Sequence, residues 1–201
     1  MTTKLIQKNV CLMDGTKIKV DISIPLRSES VLDESQEEWV MEMLNNQVIR
    51  GLRNSIDAYK NSELPNRFLY PQNYTITNSM PADALGAFCL RGDDIFVDAD
   101  AISNIGRTSS SFLLGHEMGH KIEKYTDPTE AFWAIASAFG MGIQDNEDFL
   151  REMYADICGI IVSQNNDASL VHLGGYSLNE VFSNDHTEHL KRRVLSNIYH
   201  V

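Results

Sequence analysis

The amino-acid sequence predicts an α+β fold in which hairpins come first and helices follow. Residues 10–25 contain a turn followed by alternating apolar and polar residues, and residues 87–98 contain two apolar runs separated by a turn, and both patterns are typical of β-hairpins. From about residue 109 onward apolar residues recur at helical spacing, without the strand–helix alternation of a βαβ fold. The length of 201 residues suits one domain. Within this single domain, we expect a hairpin and a long helix in residues 1–65, and the catalytic part in residues 66–201.

Two patterns predict the N-terminal elements. Asp14-Gly15 supplies a turn, and the alternation that follows it gives the second strand one apolar face for a core. Residues 35–59 are predicted to form a long amphipathic helix. The apolar stripe of this helix is expected to be buried and comprises Trp39, Met43, Leu44, Val48, Leu52 and Ile56.

Turn and capping residues predict the remaining elements. Asn73–Thr77 is expected to be a strand, and residues 91–94 are expected to form the turn of the second hairpin. Residues 109–111, all serine, offer an N-cap for a helix that ends near Tyr125. Further helices are expected over residues 128–140 and 147–162, and one or two within residues 177–199.

The composition disfavours several classes of partner. The formal net charge of −11 argues against binding to nucleic acid or to anionic membrane surfaces. The cysteines, Cys11, Cys89 and Cys158, form no CxxC pair, which fits a reducing compartment. The most apolar run, residues 131–142, is shorter than the roughly 20 residues that span a bilayer, and residues 1–13 lack a signal-peptide pattern. We therefore expect a cytoplasmic location.

Two histidines at helical spacing form the candidate metal site. His116 and His120 are four residues apart, so on a helix their side chains share one face and can reach one metal ion. Glu117 follows the first histidine and can act as the general base on an attacking water. Gly119 is unfavourable inside a helix by about 1 kcal/mol relative to Ala. This cost suggests that another element packs closely at Gly119.

A third metal ligand is expected from a later helix, because a catalytic zinc ion has three protein ligands and one open position. Glu152 is the best candidate. Asp156 lies one turn further along the same face, where its carboxylate can accept a hydrogen bond from a ligand histidine and select its tautomer.

These motifs resemble those of the gluzincin metallopeptidases. The second motif of the CAAX prenyl protease and HtpX-type family reads roughly Glu-x-x-Ala-Asp-x-x-Gly, and residues 152–159 match it at every fixed position. The resemblance implies a zincin-like fold, in which a small sheet with hairpins packs on the active-site helix. It also implies one Zn²⁺ ion, held by His116, His120 and Glu152. Because no transmembrane segment is predicted, the chain resembles the soluble relatives more than the membrane enzymes.

The resemblance further implies an endopeptidase that acts on protein or peptide substrates through a zinc-bound water. The substrate would bind as an extended strand along Ala87, Phe88 and Cys89. Glu117 would be the general base. His186 is the candidate that stabilises the oxyanion, and the alternatives for this role are His189, Arg192 and Arg193.

Two other functions remain open at this point. Regulatory peptidases of the ImmA/IrrE type also carry His-Glu-x-Gly-His, followed by a Glu and then Ala-Asn, where this chain has Ala155-Asp156. Alternatively, the zinc site could serve partner binding without catalysis. Glu117 argues against that alternative, since a structural zinc site has no use for a general base and fills all four positions.

Overall fold

A computed structural model describes residues 2–26, 34–70, 72–78, 80, 86–144, 146–168 and 175–199, and the α+β class is confirmed. The strands are β1 (Thr2–Cys11), β2 (Lys17–Leu26), β3 (Asn73–Thr77), β4 (Phe88–Arg91) and β5 (Asp94–Asp98). The helices are α1 (Glu34–Lys60), α2 (Ala99–Asn104), α3 (Arg107–Tyr125), α4 (Thr129–Phe139), α5 (Glu147–Ser163), α6 (Leu178–Val181) and α7 (Asn184–Tyr199), with a short 3-10 helix at Asn66–Phe68. None of the described helices is long and apolar enough to cross a membrane.

The chain divides into two compact units. The first comprises Met1–Asp57 and Pro71–Ser110, and the second comprises Ala58–Tyr70 and Ser111–Val201. The sheet belongs to the first unit, and α4 to α7 belong to the second. A single domain divided at residue 65 stays a prediction.

The first unit contains a five-stranded mixed sheet with the strand order β1-β2-β3-β5-β4. Both predicted hairpins are confirmed: β1 pairs antiparallel with β2, and β4 pairs antiparallel with β5. Between them, β3 runs parallel to both β2 and β5. The first turn closes at Gly15, whose φ of 84° favours glycine. This order leaves β1 and β4 as the edge strands.

The predicted apolar stripe of α1 is correct only in its C-terminal half. Val48, Leu52 and Ile56 are buried, whereas Trp39 is 62% exposed and Met43 is 43% exposed. Burial at these positions depends on whether another part of the chain covers them, which the spacing of apolar residues does not determine.

The helices of the second unit match the predicted segments, with one difference at the start of α3. Pro128 directly precedes α4, and Gly140 ends that helix in the left-handed conformation, with a φ of 67°. The helix α3 begins at Arg107, so the expected N-cap within residues 109–111 is wrong. The Ser110 hydroxyl donates to the Arg107 carbonyl oxygen instead, a local bond that a serine inside a helix can make.

Candidate metal centre

The helices α3 and α5 pack with their backbones in close contact at glycine positions. A Cβ atom added to Gly119 would lie 2.7 Å from the Cα atom of Ala155, and one added to Gly115 would lie 2.7 Å from Cβ of Val162. A Cβ atom on Gly159 would lie 2.8 Å from the carbonyl oxygen of Phe112. Close packing at Gly119, which the sequence suggested from its cost in a helix, is therefore present. It brings the neighbouring side chains of the two helices together.

Replacing Gly119 with Ala is expected to lower the free energy of unfolding by about 2 kcal/mol, the usual cost of an overpacked contact. Ala is the better helix former by about 1 kcal/mol, but the added methyl group meets backbone that cannot rotate away. Urea unfolding measures the change. Gly142→Ala is the matched control because a Cβ atom there meets nothing within 4 Å. Equal stability of both variants would contradict the close-packing argument.

The close approach of α3 and α5 brings three polar side chains together. The Nε2 atoms of His116 and His120 lie 3.1 Å apart. One carboxylate oxygen of Glu152, Oε2, lies 3.4 Å from Nε2 of His116 and 3.5 Å from Nε2 of His120. Among the described residues, this is the one group of three or more His, Cys, Asp or Glu side chains that could hold a metal ion. The structure thus unites the three predicted ligands, which come from two separate helices.

The three separations are in the range expected for ligand atoms around one small metal ion. Bonds of about 2.0–2.1 Å at tetrahedral angles place ligand atoms about 3.4 Å apart. Octahedral geometry with the same bond lengths would place them about 2.9 Å apart. The distances of 3.4 and 3.5 Å from Glu152 to the two histidines match the tetrahedral value, whereas the 3.1 Å between the two histidine nitrogens lies between the two values. Two imidazole nitrogens also disfavour Ca²⁺ and Mg²⁺, which prefer oxygen ligands.

Asp156 binds the ring nitrogen of His116 that faces away from the other two candidate ligands. Its Oδ1 atom accepts a hydrogen bond of 2.7 Å from Nδ1 of His116, and its side chain is fully buried. This bond leaves Nε2 of His116 directed at His120 and Glu152. The contact that the sequence predicted between Asp156 and a ligand histidine is present in the structure.

The carboxylates around His116 favour positive charge at the site. Burial alone would lower the pKa of His116, but hydrogen bonds to Asp156 and Glu152 outweigh it and raise this pKa from 6.5 to about 10. Hydrogen bonds from His116 and His120 lower the pKa of Glu152 far below its usual range. In the absence of metal, a proton on His116 therefore supplies positive charge within the cluster. This proton stabilises the metal-free fold fully below pH 6.5, and its contribution is lost as the pH rises through about 10.

The site has a solvent-accessible side. The side chains of His116, His120 and Glu152 are 12%, 24% and 33% exposed, which leaves room for a further ligand or a substrate. Glu117 is half-buried, and its negative charge contributes to the raised pKa of His116, as expected for a carboxylate close to that ring.

Replacing Asp156 with Asn is expected to weaken the binding of a divalent metal ion such as zinc at this site 10- to 100-fold, the usual effect of losing a charged partner of a ligand histidine. The amide oxygen can still accept the bond from Nδ1, so the ring orientation is kept while the negative charge is lost. Competition with a fluorescent zinc chelator measures the affinity. Asp148→Asn, an exposed change on the same helix, serves as the control. Unchanged affinity in Asp156→Asn would show that the buried carboxylate does not tune the site.

His186 lies at the end of a file of aromatic rings. Phe149, one turn before Glu152 on α5, packs on Phe139 of α4 at a centroid distance of 5.3 Å. Phe139 packs on Phe182 at 5.0 Å, and Phe182 packs on the ring of His186 at 4.6 Å. The ring contact of His186 is thus with Phe182. The other candidates for the oxyanion role, His189, Arg192 and Arg193, are exposed on α7.

The three residues predicted to bind substrate lie at or next to edge strand β4. Ala87 precedes this strand and is 1% exposed, Phe88 is also 1% exposed, and Cys89 is half-buried. They belong to the first unit, whereas His116, His120 and Glu152 belong to the second. A role of this strand in substrate binding stays a prediction.

Sequence reasoning missed one link between α3 and α5. Arg151 reaches Oε1 of Glu123 at 3.3 Å and Oε1 of Glu147 at 2.7 Å. The pair of Glu147 and Arg151 could have been recognised from its four-residue spacing. The contact with Glu123 has no signal in the sequence, because it joins two helices. This ion pair links α5 to α3 at Arg151, the residue that precedes Glu152.

Comparisons of this chain with models of protein families, with curated proteins and with solved structures returned no match.

Proposed function

We propose that this chain is a zinc-dependent metalloendopeptidase with a zincin-like fold. The observation that carries the proposal is that Nε2 of His116, Nε2 of His120 and Oε2 of Glu152 lie within 3.1–3.5 Å of one another. These three side chains are partly exposed, and the buried Asp156 contacts the other ring nitrogen of His116. Two histidines and one glutamate are the ligand set of thermolysin-type zinc hydrolases. Ferrous oxygenases use a similar set of ligands. Zinc is favoured here because two of the three separations match tetrahedral geometry and because a glutamate directly follows the first ligand.

Glu117 and Asp156 have separate roles in the proposed hydrolysis of a peptide bond. When bound, zinc supplies a Lewis acid that polarises the scissile carbonyl. Glu117 removes a proton from the attacking water as the water oxygen bonds to the carbonyl carbon. The same carboxyl group then returns the proton to the amine when the C–N bond breaks. Asp156 keeps Nε2 of His116 directed at the metal position.

His186 is assigned to the oxyanion. A donor near the carbonyl oxygen lowers the energy of the charge that develops there. The assignment follows from the position of His186 in the sequence after the two metal motifs; in the structure its ring is exposed and packs on Phe182.

The function is tested by metal analysis and by cleavage assays on the purified chain. We expect one zinc ion per chain by elemental mass spectrometry, and cleavage of unfolded proteins that stops with 1,10-phenanthroline and resumes when zinc is added back. One zinc ion with no cleavage of any unfolded protein or peptide would contradict a general endopeptidase. That result would favour a regulatory peptidase with a dedicated substrate, or a binding protein. Iron in place of zinc would contradict the hydrolase assignment.

Zinc binding at pH 7.5 is expected to release at least one proton per chain. His116, with a pKa raised to about 10 by Asp156 and Glu152, carries a proton at this pH and must lose it before Nε2 can bind metal. Calorimetric titrations in two buffers with different ionisation enthalpies measure the number of protons released. Identical binding enthalpies in both buffers would show that no proton leaves, and would contradict the assigned ligand state of His116.

A further inference from the structure

A pocket of about 390 Å³ lies in the first unit, between α1 and the segment that joins α2 to α3. From α1 it is lined by Gln47, Arg50, Gly51 and Asn54, whose spacing places them on one face of the helix. Its volume falls within the range of about 300–1,000 Å³ that small-molecule sites occupy. The pocket involves no residue of the candidate metal centre.

Two isoleucines, Ile102 and Ile105, lie among the mostly polar residues that line the pocket. A Cβ atom added to Gly51 would lie 2.8 Å from Cγ1 of Ile102 and 3.3 Å from its carbonyl oxygen, so α1 and α2 approach closely at this point. Ile102 is 3% exposed, and Ile105 also lines the cavity. An organic group with a small apolar portion can contact these isoleucines while its polar portion meets the polar lining residues.

Two arginines line the pocket without an acidic partner. In the described part of the chain, neither the Arg50 nor the Arg107 side chain forms an ion pair or a hydrogen bond, and none of the described lining residues is acidic. Acidic residues outnumber Lys and Arg by 28 to 17 in the sequence, so basic side chains have many potential partners. Arg151 and Lys191 both have such partners. Two exposed guanidinium groups around one acid-free cavity make a locally positive site on an acidic protein.

The position of Arg107 adds a second source of positive potential. It opens α3, whose first turn contains no acidic residue and is preceded by Gly106, which has no side chain to accept from the backbone. The N–H groups of a first helical turn lack intrahelical acceptors and carry partial positive charge. A cation placed there is unfavourable by itself. A bound anion would offset both the helix dipole and the two arginines.

We propose that this pocket binds a small phosphate monoester, with the phosphoryl group at Arg50, Arg107 and the start of α3, and the organic group on Ile102 and Ile105. A phosphate dianion matches two guanidinium groups, which bind phosphate through paired N–H donors. Gln47 and Asn54 supply further hydrogen-bonding groups on the wall. This site is separate from the proposed peptidase function and does not depend on it.

Calorimetric titration of the full chain with phenyl phosphate, inorganic phosphate and benzoate at pH 7.5 and constant ionic strength tests the proposal. We expect saturable binding of phenyl phosphate, weaker binding of inorganic phosphate because it has no apolar portion to contact Ile102 and Ile105, and at least fivefold weaker binding of the monoanion benzoate. Arg50→Gln and Arg107→Gln should each weaken phenyl phosphate binding at least tenfold. Arg53→Gln removes the same charge from an exposed position on α1 outside the pocket, and should change it less than twofold.

Thermal unfolding gives an independent readout on the same proteins. Phenyl phosphate should raise the melting temperature of the parent and of Arg53→Gln, but not that of Arg107→Gln. Binding no stronger than that of chloride at equal ionic strength would overturn the proposal. So would arginine variants that bind phenyl phosphate as tightly as the parent. Benzoate binding equal to that of phenyl phosphate would overturn the assignment of a phosphoryl group.

Discussion

Replacing Glu117 with Gln is expected to lower the rate of peptide cleavage by at least a hundredfold while leaving one zinc ion per chain. The amide has nearly the same shape as the carboxylate but cannot take a proton from water, and positioned general bases contribute about 10²- to 10⁴-fold to the rate. The metal-binding atoms of His116, His120 and Glu152 are unchanged by this substitution. A fluorogenic peptide assay gives kcat/KM, and elemental analysis gives the zinc content of the same sample.

The matched control for this variant is Glu42→Gln, which makes the same change of charge at an exposed position of α1. It should cleave at the rate of the parent. If Glu117→Gln retained more than a tenth of the parent activity with zinc bound, Glu117 would not be the base. Parallel loss of zinc and activity would instead indicate that Glu117 supports metal binding.

Replacing His116 with Ala is expected to have two large effects. The first is loss of stoichiometric zinc, because one of the three converging ligand atoms disappears. The second appears in the metal-free protein, whose free energy of unfolding should fall by about 2 kcal/mol, since a buried charge-assisted hydrogen bond to Asp156 is removed. Zinc binding by competition assay and urea unfolding in the presence of a chelator measure the two effects separately.

His120→Ala separates these effects. It also removes a zinc ligand, but His120 has no bond to Asp156 in the part of the chain that is described, so the loss of stability without metal should be smaller. His189→Ala, an exposed change on α7, should alter neither quantity. Full zinc occupancy in His116→Ala would contradict the assigned ligand set. Equal stability of the two metal-free variants would contradict the role given to the bond with Asp156.

The helices and their active faces could be predicted because helical periodicity is local. A spacing of four residues places His116 above His120 and Glu152 above Asp156, whatever the rest of the fold does. The same is true of the two hairpins, where alternation and turn residues within short segments determine the pairing.

Predictions from local sequence patterns were wrong where burial or a helix boundary depends on other parts of the chain. The stripe of α1 predicts burial at Trp39 as well as at Leu52, but burial depends on whether another surface reaches that part of the helix. The start of α3 at Arg107 was missed because serine is a good N-cap in isolation, and nothing nearby in the sequence signals the earlier start.

The order of the amino acids specifies which residues share a helix face, and therefore the two halves of the candidate metal site. Whether the halves meet depends on the packing of the helices. Contact between α3 and α5 depends on Gly115, Gly119 and Gly159, whose missing side chains let two backbones approach, and on Asp156 reaching Nδ1 of His116. The pocket at Arg50 and Arg107 is likewise tertiary, since its two arginines are distant in the chain. Interactions within one turn follow from backbone geometry, whereas those between elements depend on how their surfaces pack.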